Sequence, residues 1–577
     1  MMVFDLVIKN GKVIDGTGAL AYRADVGIVG DRIAAVGDLD AGDSPSIDAS
    51  GRYISPGFID THSHADCSMF LYPDCESYLK QGITTFIGGQ CGDSNAPIYS
   101  WWMRKYWEYD MWNDIDPFVF SPQTIQPVER VLRVVYEKTG LKVDWRTFSE
   151  YAEHVTRQGM GCNMITLAGH SQIRADVMGL SQHRRPDSEE MKRIKAHIDE
   201  AFAAGAWGLS TGRDYPPSAY ADYDEIIELA EYVKGLGGCY FTHWRRTGPR
   251  MGTPERPDRL AGITEPLEVA LATGIKTQIS HLATGFEIYP EDPRIDVYAA
   301  RVTLEHIDGY IARGADVAFD VIPGNSGGIC TTPYLASLFM PWLKEAGSLG
   351  QFVKNIGASD YRKRLLSLLQ AGEWYAVNPL ACPSWDRKIY ITESQRGIAG
   401  KNIREIAREA GRPSLETLFD LLSAEPRIRI MKYDKSDEEV RGLLSHPRGF
   451  VCTDTYATDL TGMYGNGMEV PEVLPHPHTY CAFPKYILKY GEGTFEESIH
   501  KLTGAPASFM GIKERGVLAE GNYADLLVID RENLRTNESY IEPRVYPEGI
   551  THVIVNGKTT VTPAGFCGCR AGRILKK

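Results

Sequence analysis

The sequence predicts an α/β protein, a (β/α)8 TIM-type barrel with a small β domain built from both chain termini. Two observations predict this fold. The middle of the chain alternates short β-prone runs with helix-like segments, which is the pattern of parallel βα units. Both ends instead carry β-prone runs separated by tight turns. At 577 residues, the chain is long enough for one large domain and a smaller one.

The small β domain is predicted from residues 1–55 plus 515–577. Near the N-terminus, β-prone runs flank Asn10-Gly11 and Gly30-Asp31, and near the C-terminus they flank Asn556-Gly557. Such dipeptides between short β-prone runs are typical of hairpins, and Asn-Gly is the strongest of these signals. We therefore expect a turn at each of the three positions.

The barrel is predicted from residues 56–514, with its first strand entering from the terminal domain. The eight candidate strands are YISPGFIDTHSH, GITTFIGGQC, CNMITLAGH, AWGLSTG, CYFTHW, IKTQISH, DVAFDVIP and GFVCTD. Two connections, at about 92–146 and 324–449, are too long for simple turns, and we predict that they are insertions. The first is rich in Trp and Tyr, which suits a pocket wall, a subunit contact in a homo-oligomer or core packing equally.

Composition and charge restrict the class of partner. A net charge of −13 argues against a nucleic-acid surface, which needs a cationic face, and against anionic membranes for the same reason. The first residues lack the pattern of a signal peptide, and no window approaches the roughly 18 uninterrupted apolar residues of a spanning helix. Eleven scattered cysteines do not resemble a disulfide framework. We therefore expect a cytoplasmic enzyme with reduced thiols that acts on a small molecule.

The first predicted barrel strand ends in a pair of histidines, His62 and His64. In a strand, a spacing of two points both imidazoles to the same side, and imidazole is the commonest protein metal ligand. Alone, such a pair is equally consistent with a structural role. A barrel places its catalytic groups at the C-terminal ends of its strands. The ends of later strands add Cys91, His243, His281 and Asp454.

This order of side chains on a barrel with a terminal β domain resembles the amidohydrolase superfamily. The fourth strand, AWGLSTG, has no lysine, which most binuclear members carboxylate to bridge two metals. The D-aminoacylase branch, the N-acyl-D-amino-acid deacylases, uses instead a cysteine at the place of Cys91 in QCGDSNAP. PGFIDTHSHAD, THWR, ISH, CTD, HPHTYCAFPKYI and LTGAPASFMGIKERGVLAEGNYADLLVID are similar to that branch in place and order, so the resemblance covers nearly the whole chain.

The resemblance implies a zinc cofactor. Cys91, His243 and His281 would hold one tightly bound Zn²⁺, with His62 and His64 facing a second, weaker site near Cys91. Two neutral imidazoles and a thiolate suit zinc, and three protein ligands leave one position open for water.

The resemblance also implies the reaction. Asp454, a further member of the implied metal site, would act as the general base for metal-activated water and return the proton to the leaving nitrogen. We predict hydrolysis of a non-peptide-chain amide C–N bond, with an N-acyl amino acid as the leading substrate. The same site suits a cyclic amide or imide, a carbamate or urea, or a deaminase reaction. A non-catalytic homologue is disfavoured, because all six metal and base positions are filled.

The match is weaker where the branch binds a substrate carboxylate. Tyr215 is retained, but His478 stands where the branch has an arginine, Leu282 follows His281 without the usual lysine, and Gly324 replaces a tyrosine. An imidazole is neither bidentate nor reliably cationic at pH 7, so recognition is predicted to differ. The remaining candidates for substrate contact are Arg213, Arg245 and His170.

Overall fold

A computed structural model describes most of the chain: residues 3–103, 125–214, 216–245, 259–284, 293–326, 334–370, 384–433, 435–460 and 475–577. The strands in these ranges are β1 (Leu6–Val13), β2 (Tyr22–Val29), β3 (Arg32–Gly37), β4 (Ser46–Asp48), β5 (Tyr53–Pro56), β6 (Phe58–Asp60), β7 (Ile83–Ile87), β8 (Trp101–Met103), β9 (Ile125–Pro127), β10 (Asn163–Ile165), β11 (Ala168–Gly169), β12 (Gly208–Gly212), β13 (Cys239–His243), β14 (Thr277–Ile279), β15 (Val317–Val321), β16 (Ile389–Glu393), β17 (Arg429–Lys432), β18 (Gly449–Val451), β19 (Leu526–Ile529), β20 (Ile550–Val555), β21 (Lys558–Thr562) and β22 (Gly565–Phe566).

α-Helices lie between many of these strands. The α-helices are Ala65–Ser68, Glu76–Lys80, Val128–Thr139, Phe148–Gln158, His170–Met178, Ser188–Ala204, Tyr223–Gly235, Arg259–Thr273, Pro293–Ala312, Met340–Ala346, Leu349–Ile356, Ser359–Gln370, Trp385–Lys388, Ile403–Ala410, Ser414–Ala424, Asp437–Ser445, His478–Lys485, Phe495–Leu502 and Gly504–Met510. Within the described ranges, none of them combines the length and the apolar character needed to span a bilayer.

Eight parallel strand positions form the barrel. The order is β6, β7, β10 with β11, β12, β13, β14, β15 and β18, and the third position is divided because β10 pairs with β7 whereas β11 pairs with β12. Backbone hydrogen bonds close the ring between its last and first positions. The amide of Asp454 donates to the His62 carbonyl at 3.0 Å, and that of His64 donates to the Thr455 carbonyl at 2.7 Å. The predicted barrel is confirmed.

The helix Ser188–Ala204 shows how local sequence sets these elements. The Asp187 side chain accepts from the Glu190 amide at 2.9 Å, and the Glu190 carboxylate accepts from the Asp187 amide at 2.9 Å, which is a capping box. The helix ends at Gly205, whose φ of 108° is left-handed. Between these signals it buries apolar residues at helical spacing, namely Met191, Ile194 and Ile198.

A nine-stranded sheet combines both chain ends. Its order is β22-β21-β20-β19-β5-β1-β2-β3, with β4 beside β1. The two ends meet where β19 pairs antiparallel with β5. The run YISPGFIDTHSH therefore divides at Gly57: β5 belongs to this sheet and β6 begins the barrel. A small β element from both termini is confirmed, whereas the domain boundaries near 55 and 515 stay predictions.

One predicted turn is wrong. Asn10-Gly11 lies inside β1, which continues to Val13 with an irregular register between Ile8 and Gly11. Asn10 has a left-handed φ of 63°, and its amide donates to Asp25 Oδ1 at 2.7 Å, so the positive φ produces a bulge instead of a reversal. The turns at Gly30-Asp31 and Asn556-Gly557 do connect antiparallel strands, β2 with β3 and β20 with β21.

The two predicted insertions differ in what they build. Around the second, a separate hydrophobic cluster combines helices with the antiparallel pair β16–β17, and in it the Phe339 ring contacts those of Phe352 and Phe419. In the first, Trp102 and Trp145 are buried in the main core. Its residues 104–124, which include much of the Trp and Tyr content, lie outside the described residues.

A buried polar network joins the terminal sheet to the barrel. Asp525, just before β19, accepts from Asn163 Nδ2 of β10 at 2.9 Å and from the Asn556 amide at 2.7 Å. The Arg515 guanidinium also donates to Asp525, and both side chains are about 5% exposed. Because the charges are buried and paired, each partner depends on the other for its solvation.

Replacing Asp525 with alanine should lower the free energy of unfolding by about 3–5 kcal/mol, because the buried Arg515 charge loses its partner. Denaturant unfolding of the purified protein measures this change. Glu532→Ala, at an exposed position, is the control and should change stability by less than about 0.5 kcal/mol. A loss similar to that of the control would contradict the assigned role.

Candidate metal centre

All six metal-site candidates lie at the C-terminal ends of barrel strands. His62 and His64 follow β6, Cys91 follows β7, and His243 is the last residue of β13. The remaining two, His281 and Asp454, follow β14 and β18. Each is buried, with at most 4% exposure. The potential ligand atoms form two groups, and within each group these atoms lie within 4.8 Å of one another: His62, His64, Cys91 and Asp454, and Cys91, His243 and His281.

Three of these residues have unusual backbone conformations. Cys91, His281 and Asp454 have φ values of 56°, 37° and 51°, in the left-handed region that residues other than glycine seldom adopt. Hydrogen bonds hold the turns: the His281 amide donates to Asp320 Oδ1 at 2.6 Å, and the Asp454 amide donates to the His62 carbonyl at 3.0 Å. Strained conformations of this kind concentrate at functional sites.

The separations of the side chains suit zinc. Cys91 Sγ lies 3.7 Å from His243 Nδ1, 3.7 Å from His281 Nε2 and 3.4 Å from His62 Nε2. With Zn–S near 2.3 Å and Zn–N near 2.0–2.1 Å, tetrahedral coordination separates sulfur and nitrogen by about 3.5–3.6 Å. The three sulfur–nitrogen separations are therefore close to those expected around a thiophilic divalent cation.

Charge leads to the same conclusion. Burial opposes ionisation of Cys91, but His62 and hydrogen bonds from His243 and His281 hold the pKa of the thiol well below its usual range. Burial is likewise outweighed at Asp454, where neighbouring imidazoles hold the carboxyl pKa well below its usual range. Burial would lower the pKa of His64, but Asp454 and Cys91 raise it to about 9. The site thus requires positive charge, which protons or a bound divalent cation can supply.

Two buried carboxylates at the site were not identified from the sequence. Asp320 in β15 accepts from the His281 amide and from Gln278 Nε2, at 2.6 and 2.5 Å, and lies 3.8 Å from His62 Nδ1. Asp214 Oδ2 lies 3.5 Å from His243 Nε2, while the other nitrogen of that ring faces Cys91. Both are placed to orient a ligand imidazole. The available signal for Asp320 was an aspartate inside the apolar run DVAFDVIP.

His170 lies in a buried network beside the centre. Its Nδ1 is 2.6 Å from Ser218 Oγ, and its Nε2 is 3.0 Å from Glu225 Oε1, which also accepts from Arg174 Nε at 3.0 Å. Burial would raise the pKa of Glu225, but His170 and Arg174 lower it to about 2. The network fixes the segment after β12, and contact of His170 with substrate stays a prediction.

Arg213 and Arg245 share one carboxylate. Both guanidinium groups pair with Glu265, and Arg213 also donates to the Ser218 carbonyl at 2.6 Å. The single carboxylate of Glu265 balances only one of the two guanidinium charges, and binding of a substrate anion by either arginine stays a prediction. Tyr215, the retained candidate, lies outside the described residues.

His478 is a neutral side chain in a closely packed position. Its Nε2 donates to the Ser326 carbonyl at 2.9 Å, and its ring packs against that of His476 at a tilt of 36° with 3.9 Å between centroids. Burial holds the pKa of His478 well below its usual range and lowers that of His476 to about 3. A Cβ on Gly324 would lie 2.6 Å from His478 Cε1, so the glycine makes room for the imidazole.

Comparison with known proteins places the chain in a family. The model of the "Amidohydrolase family" matches residues 46–235 and 385–561, more than half of the chain. The chain belongs to this family. D-aminoacylase of Alcaligenes xylosoxydans xylosoxydans is 28% identical across 100% of this chain and 98% of its own length. The predicted superfamily and D-aminoacylase branch are confirmed.

Solved structures of this branch share the architecture. A crystal structure of D-aminoacylase has 26% identity and a TM-score of 0.69, with 100% of both chains covered. N-acyl-D-glutamate deacylase from Bordetella bronchiseptica, in complex with zinc and a phosphonate inhibitor, has 25% identity and a TM-score of 0.70 over 100% of both chains.

Cys91→Ala should remove tightly bound zinc, because Cys91 contributes to both ligand groups. After dialysis against metal-free buffer, we expect zinc below about a tenth of the wild-type content, measured by elemental analysis. Cys481→Ala is the matched control, because this buried thiol donates to the Pro477 carbonyl at 3.1 Å, and it should keep its zinc. A zinc content of Cys91→Ala equal to that of the wild type would exclude this thiolate as a ligand.

Proposed function

We propose that this amidohydrolase is a zinc-dependent hydrolase of a linear amide, with an N-acyl amino acid as the leading substrate class. One observation carries the proposal: a buried thiolate, four imidazoles and a carboxylate converge at the C-terminal end of the barrel. The similarity to D-aminoacylase and to N-acyl-D-glutamate deacylase supports amide cleavage in particular.

Cys91, His243 and His281 would hold the tightly bound zinc, and His62 and His64 the weaker position. When bound, zinc polarises the scissile carbonyl and lowers the pKa of an attacking water to about 7. The groups of the chain itself bind and orient: Asp214 holds the His243 ring, and buried Asp320 holds the turn at His281.

Asp454 is the general base in this proposal. Its Oδ1 lies 3.3 Å from His62 Nε2 and 3.4 Å from His64 Nε2, which keeps the carboxylate ionised and fixes its direction. An ionised carboxylate there can accept a proton from the attacking water and deliver it to the leaving nitrogen. Burial of the residue excludes bulk water from this transfer.

The His478 position favours a second candidate that uses the same ligands. Because this imidazole is neutral and donates to Ser326, it supplies no charge for a substrate carboxylate. Hydrolysis of a cyclic amide or imide, a carbamate or urea, or deamination of a heterocycle does not require a carboxylate on the substrate. These reactions form the alternative to deacylation.

Asp454→Asn should retain tightly bound zinc but lower kcat by about 10²–10⁴-fold, because the amide cannot accept the proton. Steady-state kinetics and zinc content measured on one preparation separate the two effects. Asp420→Asn is the control, because this carboxylate pairs with Arg362 and Arg412 on the second insertion. A kcat within a factor of about three of wild type would rule out Asp454 as the base.

A substrate panel separates the two reaction classes. N-acyl-D and N-acyl-L amino acids, hydantoins, carbamates and aminopurines are incubated with zinc-loaded protein, and released amine, acid or ammonia is measured. We expect turnover of at least one N-acyl amino acid that fails with Asp454→Asn. Turnover confined to the other compounds would replace deacylation by the second candidate. No turnover of any compound would support a non-catalytic homologue.

A further inference from the structure

A third group of metal-binding side chains adjoins the proposed zinc site. His64, Cys67 and Asp93 are each 2–3% exposed, and their potential ligand atoms lie within 4.8 Å of one another. Cys67 and Asp93 belong to neither ligand group of the proposed centre. His64 belongs to both arrangements, and an imidazole carries two ring nitrogens, each able to bind a metal.

Local structure brings the three together. His64 precedes the one-turn helix Ala65–Ser68, in which the Cys67 amide donates to the His64 carbonyl at 2.9 Å, so the two side chains are three residues apart on one face. Asp93 follows Cys91 and Gly92, which both have positive φ. This turn returns the chain so that residues 91 and 93 both approach His64.

The separation of sulfur and oxygen matches metal coordination. Cys67 Sγ lies 3.8 Å from Asp93 Oδ2. Zn–S near 2.3 Å and Zn–O near 2.1 Å give a tetrahedral edge of about 3.6 Å. One thiolate, one imidazole and one carboxylate also match the ligand types of zinc and leave a position open.

We propose that His64, Cys67 and Asp93 form an additional binding position for a thiophilic divalent cation, Zn²⁺ or Cd²⁺, next to the proposed zinc centre. It fills when metal is added in excess, because its imidazole is shared with the weaker of the two neighbouring positions. Binding is measured without substrate, so the proposal does not depend on the reaction that the enzyme catalyses.

Cadmium titration tests the proposal through thiolate-to-metal charge-transfer absorption, with equilibrium dialysis for stoichiometry. Every protein carries Cys567→Ser and Cys569→Ser, because these tail thiols are accessible. In this background, Cys91→Ala removes the thiolate of the neighbouring centre. We expect Cys91→Ala to retain a charge-transfer band that Cys67→Ala in addition abolishes. Absence of the band in Cys91→Ala, or its persistence in the double variant, would overturn the proposal.

Two further variants separate metal binding from a simple thiol–carboxylate hydrogen bond. In the Cys91→Ala background, Asp93→Asn should weaken the binding of cadmium at Cys67 by at least about 10-fold. In the protein that retains Cys91, the same substitution should leave the zinc at Cys91 in place. Cys162→Ala is the matched control, because this buried thiol donates to the Ile83 carbonyl at 3.2 Å, and it should bind as many equivalents as its parent. Equal cadmium affinity in Asp93→Asn and its parent would show that only a hydrogen bond joins the pair. Circular dichroism checks that each variant is folded.

Discussion

The balance of charge around Cys91 is the constraint on which the site depends. A thiolate and the Asp454 carboxylate are buried within reach of the same imidazoles, and isolated buried anions are costly. Positive charge must therefore reside among them, as protons on His62 and His64 or as a divalent cation. A protonated imidazole cannot bind a metal, so binding of zinc requires the release of protons from these histidines.

The barrel supplies the geometry that this balance requires. Asp60 of β6 accepts from Thr453 Oγ1 at 2.6 Å and from the Thr453 and His62 amides, so one buried carboxylate fixes the seam between the first and last strands. Asp320 of β15 likewise holds His281, which follows the neighbouring strand β14. Because these contacts join different strands, the candidate ligands take their positions only when the barrel closes. The position of each one therefore depends on residues far away in the sequence.

The sequence predicts the candidate ligands at the strand ends, but not the carboxylates that hold them in position. Eight β-prone runs and a shared topological position were enough to predict that His62, Cys91, His281 and the other candidate ligands converge. Asp320 was missed because its role depends on a partner 39 residues away, His281, which no local pattern reveals. The predicted turn at Asn10-Gly11 is wrong for a related reason. A left-handed φ occurs in both turns and bulges, and only the contact with Asp25 across the sheet decides between them.

His478, which we predict as a candidate for substrate contact, and the residues around it are separate in the chain from the proposed metal ligands. The proposed ligands and Asp454 lie at the ends of barrel strands or directly after them, where a shift of one residue would break several contacts together. His478 and Ser326 instead belong to segments beyond the strands, and Gly324 leaves the space that the imidazole fills. A side chain at 324 would have to displace that ring, so the residues at 324 and 478 are sterically coupled. A paired substitution at positions 324 and 478 can therefore change the charge there without altering the proposed ligand geometry around Cys91.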